Sequence, residues 1–189
     1  EVKANKVTWP LMYKEIGNDL NSLYNKINST NTAIVDFLKE NGLEENEITV
    51  NAPEIIDMNA ERYSSNQSNY RYNVTQVITV ASSKVDLVRR LINEQSELLK
   101  QGIAITSGDY MYRVQYEYTD LNSIKPQMIE EATKNARTAA LKFASDSDSK
   151  LGKIKRASQG QFSINNRDEF TPYIKKVRVV TTIDYFLED

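Results

Sequence analysis

The sequence predicts an α+β fold in which a mixed β-sheet carries three helices, packed mainly on one face. Stretches in which apolar residues recur at every second position alternate with stretches in which they recur at every third or fourth. The ends of two predicted helices, at 37–43 and 98–103, also resemble each other, and each is followed by a predicted strand. We therefore expect two strand-helix-strand units, extended by a third helix and C-terminal strands.

The first unit begins with a strand and a helix. Apolar residues alternate from Val7 to Tyr13, and Pro10 favours an edge or a bulge because proline has no N–H to donate. The helix that follows has Asp19 as its cap and Gly42 as its stop. Its predicted core side consists of Leu20, Leu23, Tyr24, Ile27, Ile34, Val35 and Leu38.

A hairpin links the first unit to the second. The stretches at 48–58 and 70–80 predict two strands around the polar turn at 64–69. Ser82 or Ser83 then opens the second helix, which ends before Gly102.

The last third of the chain supplies a strand, a helix and two more strands. A strand is expected at 110–118, and a third helix at about 124–145 with Pro126 in its first turn, where the missing N–H does no harm. Two final strands are expected at 153–164 and 175–187. The predicted inner side of the third helix consists of Ala132, Ala136, Ala139 and Ala140, flanked by Ile129 and Phe143.

Length and charge set the broad class of the protein. A chain of 189 residues fits a single domain over 1–189. The net charge of 24 − 26 = −2 lacks the basic excess of a nucleic-acid-binding protein, so we expect no nucleic-acid partner. No apolar run approaches the ~18 residues that a membrane-spanning helix needs.

The sequence contains no cysteine and no histidine. This excludes disulfides, thiol nucleophiles, thiolate zinc sites, histidine triads and histidine-ligated metals. The remaining carboxylates, lysines, serines and tyrosines form no catalytic motif. We therefore predict a protein that is not an enzyme, with no catalytic, cofactor-binding or metal residues.

A tyrosine stripe is the one constellation that suggests a ligand. If 110–118 is a strand, Tyr110, Tyr112, Tyr116 and Tyr118 lie on one face with Val114. Such a stripe could stack on a sugar or another small ligand, or it could be the core face under the helices. The sequence leaves both interpretations open.

The third helix and the strand after it resemble a known family. The segment IEEATKNARTAALKFA at 129–144, followed by KLGKI at 150–154, is similar to the alanine-rich helix, Leu-Gly step and strand of the bacterial SIMPL domain family. The order of the other parts agrees, from the Asn-Gly-Leu helix end at 41–43 to the final strand that ends in Tyr-Phe-Leu at 185–187.

The resemblance implies a cellular location, an association with stress and a tendency to assemble. It implies a bacterial protein that is periplasmic, or membrane-anchored and facing the periplasm or the outside, associated with envelope or oxidative stress. Ring assembly is known for one periplasmic relative, so we expect a homo-oligomer, with another envelope protein as the alternative partner. The family usually opens with a glycine-containing strand, so we expect part of the first strand to be absent from 1–189. Because the chain begins with Glu1 rather than Met, we also expect a signal or anchor to be absent from it. Membrane association would depend on that segment alone.

Two functions remain as expectations. The leading one is a structural or interaction protein of the envelope that assembles with itself and carries no catalytic residues. The alternative is a module that binds a small ligand or glycan through Tyr110, Tyr112, Tyr116 and Tyr118. The resemblance implies no site residues in either case.

Overall fold

A computed structural model describes residues 1–60, 69–106 and 110–188 of the chain. They fall into two compact units, an N-terminal unit of Asn5–Tyr116 and a C-terminal unit of Glu117–Asp189 with Glu1–Ala4. Helices and β-sheets occur in both units, so the α+β class is confirmed. The single domain over 1–189 stays a prediction.

The regular elements follow the chain in this order. The strands are β1 (Val2–Lys3), β2 (Lys6–Gly17), β3 (Ile48–Val50), β4 (Glu54–Asp57), β5 (Tyr72–Ser82), β6 (Gln115–Glu117), β7 (Lys150–Gln159), β8 (Ser163–Asn166), β9 (Ile174–Arg178) and β10 (Thr181–Glu188). The helices are α1 (Leu20–Glu40), α2 (Val85–Glu94), α3 (Ser96–Lys100) and α4 (Leu121–Asp146), with 3₁₀ turns at Glu45–Glu47 and Tyr110–Tyr112.

The sheet of the N-terminal unit has the strand order β3-β5-β2-β6, and β4 also pairs with β5. Both β3 and β4 run antiparallel to β5, with β3 opposite 78–80 and β4 opposite 72–75. This confirms the predicted hairpin, although positions 64–68 of its turn lie outside the described residues. One edge of the sheet is therefore a strand in two pieces, interrupted at 51–53.

The proline in β2 does not place that strand at an edge. β2 lies between β5 and β6, so the edge prediction for Pro10 is wrong. The register with β5 runs unshifted from Val7 opposite Ser82 to Gly17 opposite Tyr72. A proline removes at most one hydrogen bond between strands, and the remaining pairing of β2 with β5 is long enough to tolerate that loss.

Helix α1 begins and ends where the sequence predicts. The Asp19 side chain accepts a hydrogen bond from the Ser22 N–H at 2.7 Å and so satisfies one of the free N–H groups of the first turn. The residues that α1 buries are Leu23, Ile27, Ile34, Phe37 and Leu38.

The two similar helix ends are one structural motif used twice. After α1, the Leu43 N–H bonds to the Leu38 carbonyl at 3.1 Å, and after α3 the Ile103 N–H bonds to the Leu98 carbonyl at 3.0 Å. In each case a glycine with positive φ precedes the donor, and the two apolar residues joined by the bond are buried. This is the Schellman motif, and it confirms the internal similarity read from the sequence.

The C-terminal unit contains a three-stranded sheet in the order β1-β9-β8 and an antiparallel pair of β7 and β10, against which α4 packs. The strand predicted at 153–164 divides at Gly160 into β7 and β8, and the strand predicted at 175–187 divides at 179–180 into β9 and β10. At the two breaks, the Gly160 N–H donates to the Val180 carbonyl at 2.8 Å. The break lets the halves join different sheets. Helix α4 begins three residues earlier than predicted, so Pro126 lies in its second turn.

The alanine face of α4 is narrower than predicted. Ala132, Ala136 and Ala140 are half-buried, and Ala144 is fully buried. The predictions for Ala139 and Phe143 are wrong, because both are exposed, Phe143 to 75%. The covered residues recur every fourth position, since a pair of strands covers only a narrow stripe of the helix.

Candidate functional site

A groove of about 460 Å³ lies between α1 and the interrupted edge of the N-terminal sheet. Three elements build it: α1 forms one wall, the β3–β4 edge forms the other, and β5 forms the floor. The lining residues are Leu20, Asn21, Leu23, Tyr24, Ile27, Asn28 and Asn31 from α1, Val50, Asn51, Pro53 and Ile55 from the edge, and Val74 and Gln76 from β5.

The α1 wall follows from helical spacing. Leu23 and Ile27 are buried and pack against Val74 of the β5 floor. The bottom of the groove is therefore apolar. The core prediction is correct for these two residues and wrong for Leu20 and Tyr24, which are 47% and 66% exposed and line the groove. Both residues line the same groove as Asn51 and Pro53 of the interrupted edge.

A pair of amide side chains fixes the edge at the interruption. The Gln76 Nε2 group donates to the Asn51 carbonyl at 2.7 Å and to the Val77 carbonyl at 3.1 Å. The Asn51 Nδ2 group in turn donates to Thr79 Oγ1 at 2.9 Å. These bonds connect the end of β3 to β5.

The other end of the Gln76 amide has no partner. Gln76 is 1% exposed, and its Oε1 atom is among the buried side-chain oxygens of the described residues that accept no hydrogen bond. The two bonds made by Nε2 fix the orientation of the amide, because a flipped amide would face two carbonyls with its oxygen. An unpaired buried acceptor costs roughly 1–3 kcal/mol.

Tyr13 lies opposite Gln76 in the β2–β5 ladder and is buried. Its Oη atom is 3.1 Å from the Ile27 carbonyl and 2.9 Å from Asn31 Oδ1, so its single hydrogen can serve either acceptor. Burial, and secondly the charge of Glu15, raises the pKa of Tyr13. The phenol therefore stays neutral and anchors α1 to the sheet beneath the groove.

The composition of the groove lining is that of a binding surface. Among the described residues, its lining contains no Asp, Glu, Lys or Arg and no nucleophile paired with a base. A concave, mostly apolar surface with a few polar groups is typical of small-molecule sites, which span roughly 300–1,000 Å³.

Sequence reasoning missed both Asn51 and Gln76. One signal could have found Gln76: it takes an inward position on a strand whose other inward positions are Val74, Ile78 and Val80. A buried amide among such residues needs a partner or a function. No sequence signal marks Asn51, because its role depends on where β3 ends.

The tyrosine residues singled out from the sequence do not share one strand. Residues 110–112 form a 3₁₀ turn, and only 115–117 are a strand, so the strand prediction for 110–118 is wrong. Tyr112, Tyr116 and Tyr118 are each half-buried. Regular alternation over 110–118 is lost because the 3₁₀ turn has a different period.

A charged cluster at the start of α2 is structural. Ser82 Oγ donates to Glu47 Oε1 at 2.6 Å, and Lys84 Nζ contacts Glu47 Oε2 at 2.9 Å and Glu44 Oε1 at 2.8 Å. Burial raises the pKa of Glu47, but the hydrogen bonds from Ser82, the Glu44 N–H and Lys84 outweigh burial and lower it. The cluster joins the 3₁₀ turn after α1 to the end of β5.

Two further properties concern metals and membranes. Within 1–60, 69–106 and 110–188, no three His, Cys, Asp or Glu side chains are grouped so as to hold a metal ion. In the same part of the chain, no helix is long and apolar enough to cross a membrane.

Comparison with known families identifies the family of the chain. The model of a family described as "SIMPL: Protein of unknown function (DUF541)" matches residues 1–180. No curated protein matches the chain.

Proposed function

Because the chain belongs to the SIMPL family, we propose that it is a non-catalytic protein of the bacterial envelope whose groove between α1 and the β3–β4 edge binds a small neutral ligand. The observation that carries the proposal is an apolar groove of about 460 Å³ whose lining, as far as the described residues form it, carries no charge. The family resemblance supports a periplasmic location, or anchoring that faces the periplasm, and a role in envelope stress. A binding role is compatible with both.

The neutral lining restricts the ligand. A charged ligand entering this groove would lose hydration and find no opposite charge among the lining residues. An apolar, uncharged ligand instead gains about 25 cal/mol for each Å² of apolar surface removed from water. We therefore propose a neutral molecule with a largely apolar body.

Binding of a neutral fluorescent probe tests this proposal. N-phenyl-1-naphthylamine fluoresces more strongly in apolar surroundings, so we expect saturable fluorescence enhancement with the wild-type protein. Leu20→Ala should weaken binding, whereas Leu99→Ala, which truncates an exposed leucine outside the groove, should not. An equal effect of both substitutions, or no saturable binding, would contradict the proposal.

Self-assembly is a second proposed function, and a different observation favours it. Phe170 is 92% exposed, in the loop between β8 and β9. Asp168 orders this loop, since its Oδ1 atom accepts hydrogen bonds from the Phe170 N–H at 2.9 Å and the Thr171 N–H at 2.7 Å. The hydrogen bonds from Thr171 and Arg167 lower the pKa of Asp168 to about 2, so the carboxylate is charged at neutral pH. An aromatic side chain presented on an ordered loop loses little entropy when a second copy covers it.

Light scattering of the protein at micromolar concentrations tests assembly. We expect an oligomer that Phe170→Ala weakens, while Glu169→Ala, in the same loop, leaves it intact. A wild-type monomer over the whole concentration range would rule out the assembly proposal and leave the ligand-binding proposal standing.

A further inference from the structure

We infer that the ligand of the groove donates an N–H or O–H hydrogen to Gln76 Oε1. This inference rests on the proposed binding function and adds the chemistry by which the ligand is recognised. The class is a neutral molecule with an aromatic or alicyclic body and one hydrogen-bond donor, such as a phenol, an alcohol or a secondary amine.

The hydrogen bonds of Gln76 leave only one unused function in its side chain. Both donor contacts of Nε2 go to main-chain carbonyls, of Asn51 and Val77, while Oε1 accepts nothing. Its ladder partner Tyr13 cannot supply the missing hydrogen, because the Tyr13 hydroxyl is directed to Ile27 and Asn31. A ligand donor would therefore satisfy an acceptor that the protein itself leaves unpaired.

Selectivity for a donor follows from the cost of an unpaired acceptor. A ligand that buries the same apolar area without a donor leaves Oε1 unsatisfied, whereas a ligand with a donor recovers that cost. A site built on a buried polar group therefore discriminates against analogues that lack the matching group.

Access to Oε1 requires a small movement of the lining. The atom has almost no accessible surface, so a donor reaches it only when neighbouring lining side chains turn aside. Tyr24 and Val50 line the same groove and are about half or more exposed, so they can change rotamer at low cost.

The sheet edge favours a small molecule over an added peptide strand. Strand addition needs a row of free N–H and C=O groups. Here the edge is interrupted: the Asn51 N–H already donates to the Val77 carbonyl at 3.1 Å, and Pro53 has no N–H. An added peptide strand could therefore not continue its backbone hydrogen bonds past the interruption at 51–53.

Two probes that differ only in the donor provide the test. 2-Naphthol has a hydroxyl donor, and 2-methoxynaphthalene has the same rings with the hydrogen replaced by a methyl group. The methyl group adds apolar area, so burial alone would favour the ether. We expect calorimetry with the wild-type protein to show roughly three- to tenfold tighter binding of 2-naphthol, the range that one hydrogen bond provides.

Two variants separate the hydrogen bond from general contact with the probe. Gln76→Met, with folding verified by circular dichroism, should bring the two probes to the same affinity, and Tyr24→Ala should weaken both by the same factor. If Gln76→Met does not fold, the comparison of the two probes on the wild-type protein decides alone.

The outcomes distinguish this inference from the proposed function. Equal affinity of the two probes for the wild-type protein, or tighter binding of the ether, would overturn the inference and leave ligand binding intact. No binding of either probe would overturn both. A dimer that dissociates when either probe is added would show that a second copy fills the groove, and would overturn the inference too.

Discussion

The Gln76 side chain donates to the Asn51 carbonyl at 2.7 Å, and this bond ties the interior of the sheet to the break in its edge. It joins a buried position of β5 to the residue that follows β3. Because Nε2 is committed to this bond, Oε1 of this groove-lining residue is held in one orientation without a partner. The same contact thus fixes the end of β3 and leaves a buried acceptor of a lining residue unsatisfied.

The stripe of α4 that faces β10 and β7 can be tested by overpacking. Ala136→Leu should destabilise the protein by roughly 1–3 kcal/mol, because Ala136 is half-buried in a helix that packs on these strands. Ala139→Leu places the same side chain at an exposed position of the same helix and should change stability by less than about 0.5 kcal/mol. Urea unfolding measures both, and equal effects would show that the helix is oriented differently.

The repeated Schellman motif predicts a backbone effect at Gly102. Its φ is 79°, and an added Cβ would meet no atom within 4 Å, so the cost of a side chain is purely conformational. Gly102→Ala should destabilise by about 1–2 kcal/mol. Gly102→Asn should cost less, since asparagine tolerates the left-handed region. Thermal unfolding of the two variants compares them, and equal stability of the alanine variant and the wild type would refute the motif.

The cluster around Glu47 predicts that the free energy of unfolding decreases as the pH falls. Its folded pKa is lowered below the ordinary value of 4.5, so its stabilising contribution is present above about pH 4.5 and is lost as the pH falls through the folded pKa. Glu47→Gln should therefore lose less stability than the wild type between pH 7 and pH 3. Glu45→Gln, on the same 3₁₀ turn but exposed, is the control and should follow the wild type. Identical pH profiles for the wild type and Glu47→Gln would contradict the role of the cluster.

The parts of the fold that sequence could predict are those with local causes. The cap at Asp19, the two glycine stops and the hairpin of 48–58 with 70–80 depend on neighbouring residues, and all appear in the structure. The strand predicted at 110–118 fails because the alternation of tyrosines resembles a strand although a 3₁₀ turn breaks it. The position of Pro10 fails for a different reason, since strand order is a long-range property.

The candidate site was the hardest part to predict. Leu20 and Tyr24 share the apolar spacing of the buried α1 residues, yet both are exposed and line the groove, so the spacing does not distinguish them. The significance of Gln76 likewise depends on Asn51, which is 25 residues away in the chain. Contacts of this kind carry no local signal.

The binding role of the groove is tested most directly by mapping 2-naphthol onto the protein with NMR chemical shifts. We predict that the largest changes occur at the side-chain amide of Gln76 and at Asn51, with smaller changes at Leu20, Tyr24 and Val50. Changes centred on Tyr112, Tyr116 and Tyr118 would favour the tyrosine residues as the ligand site instead. The absence of saturable changes at Gln76 and Asn51 would contradict the claim that this groove binds a ligand.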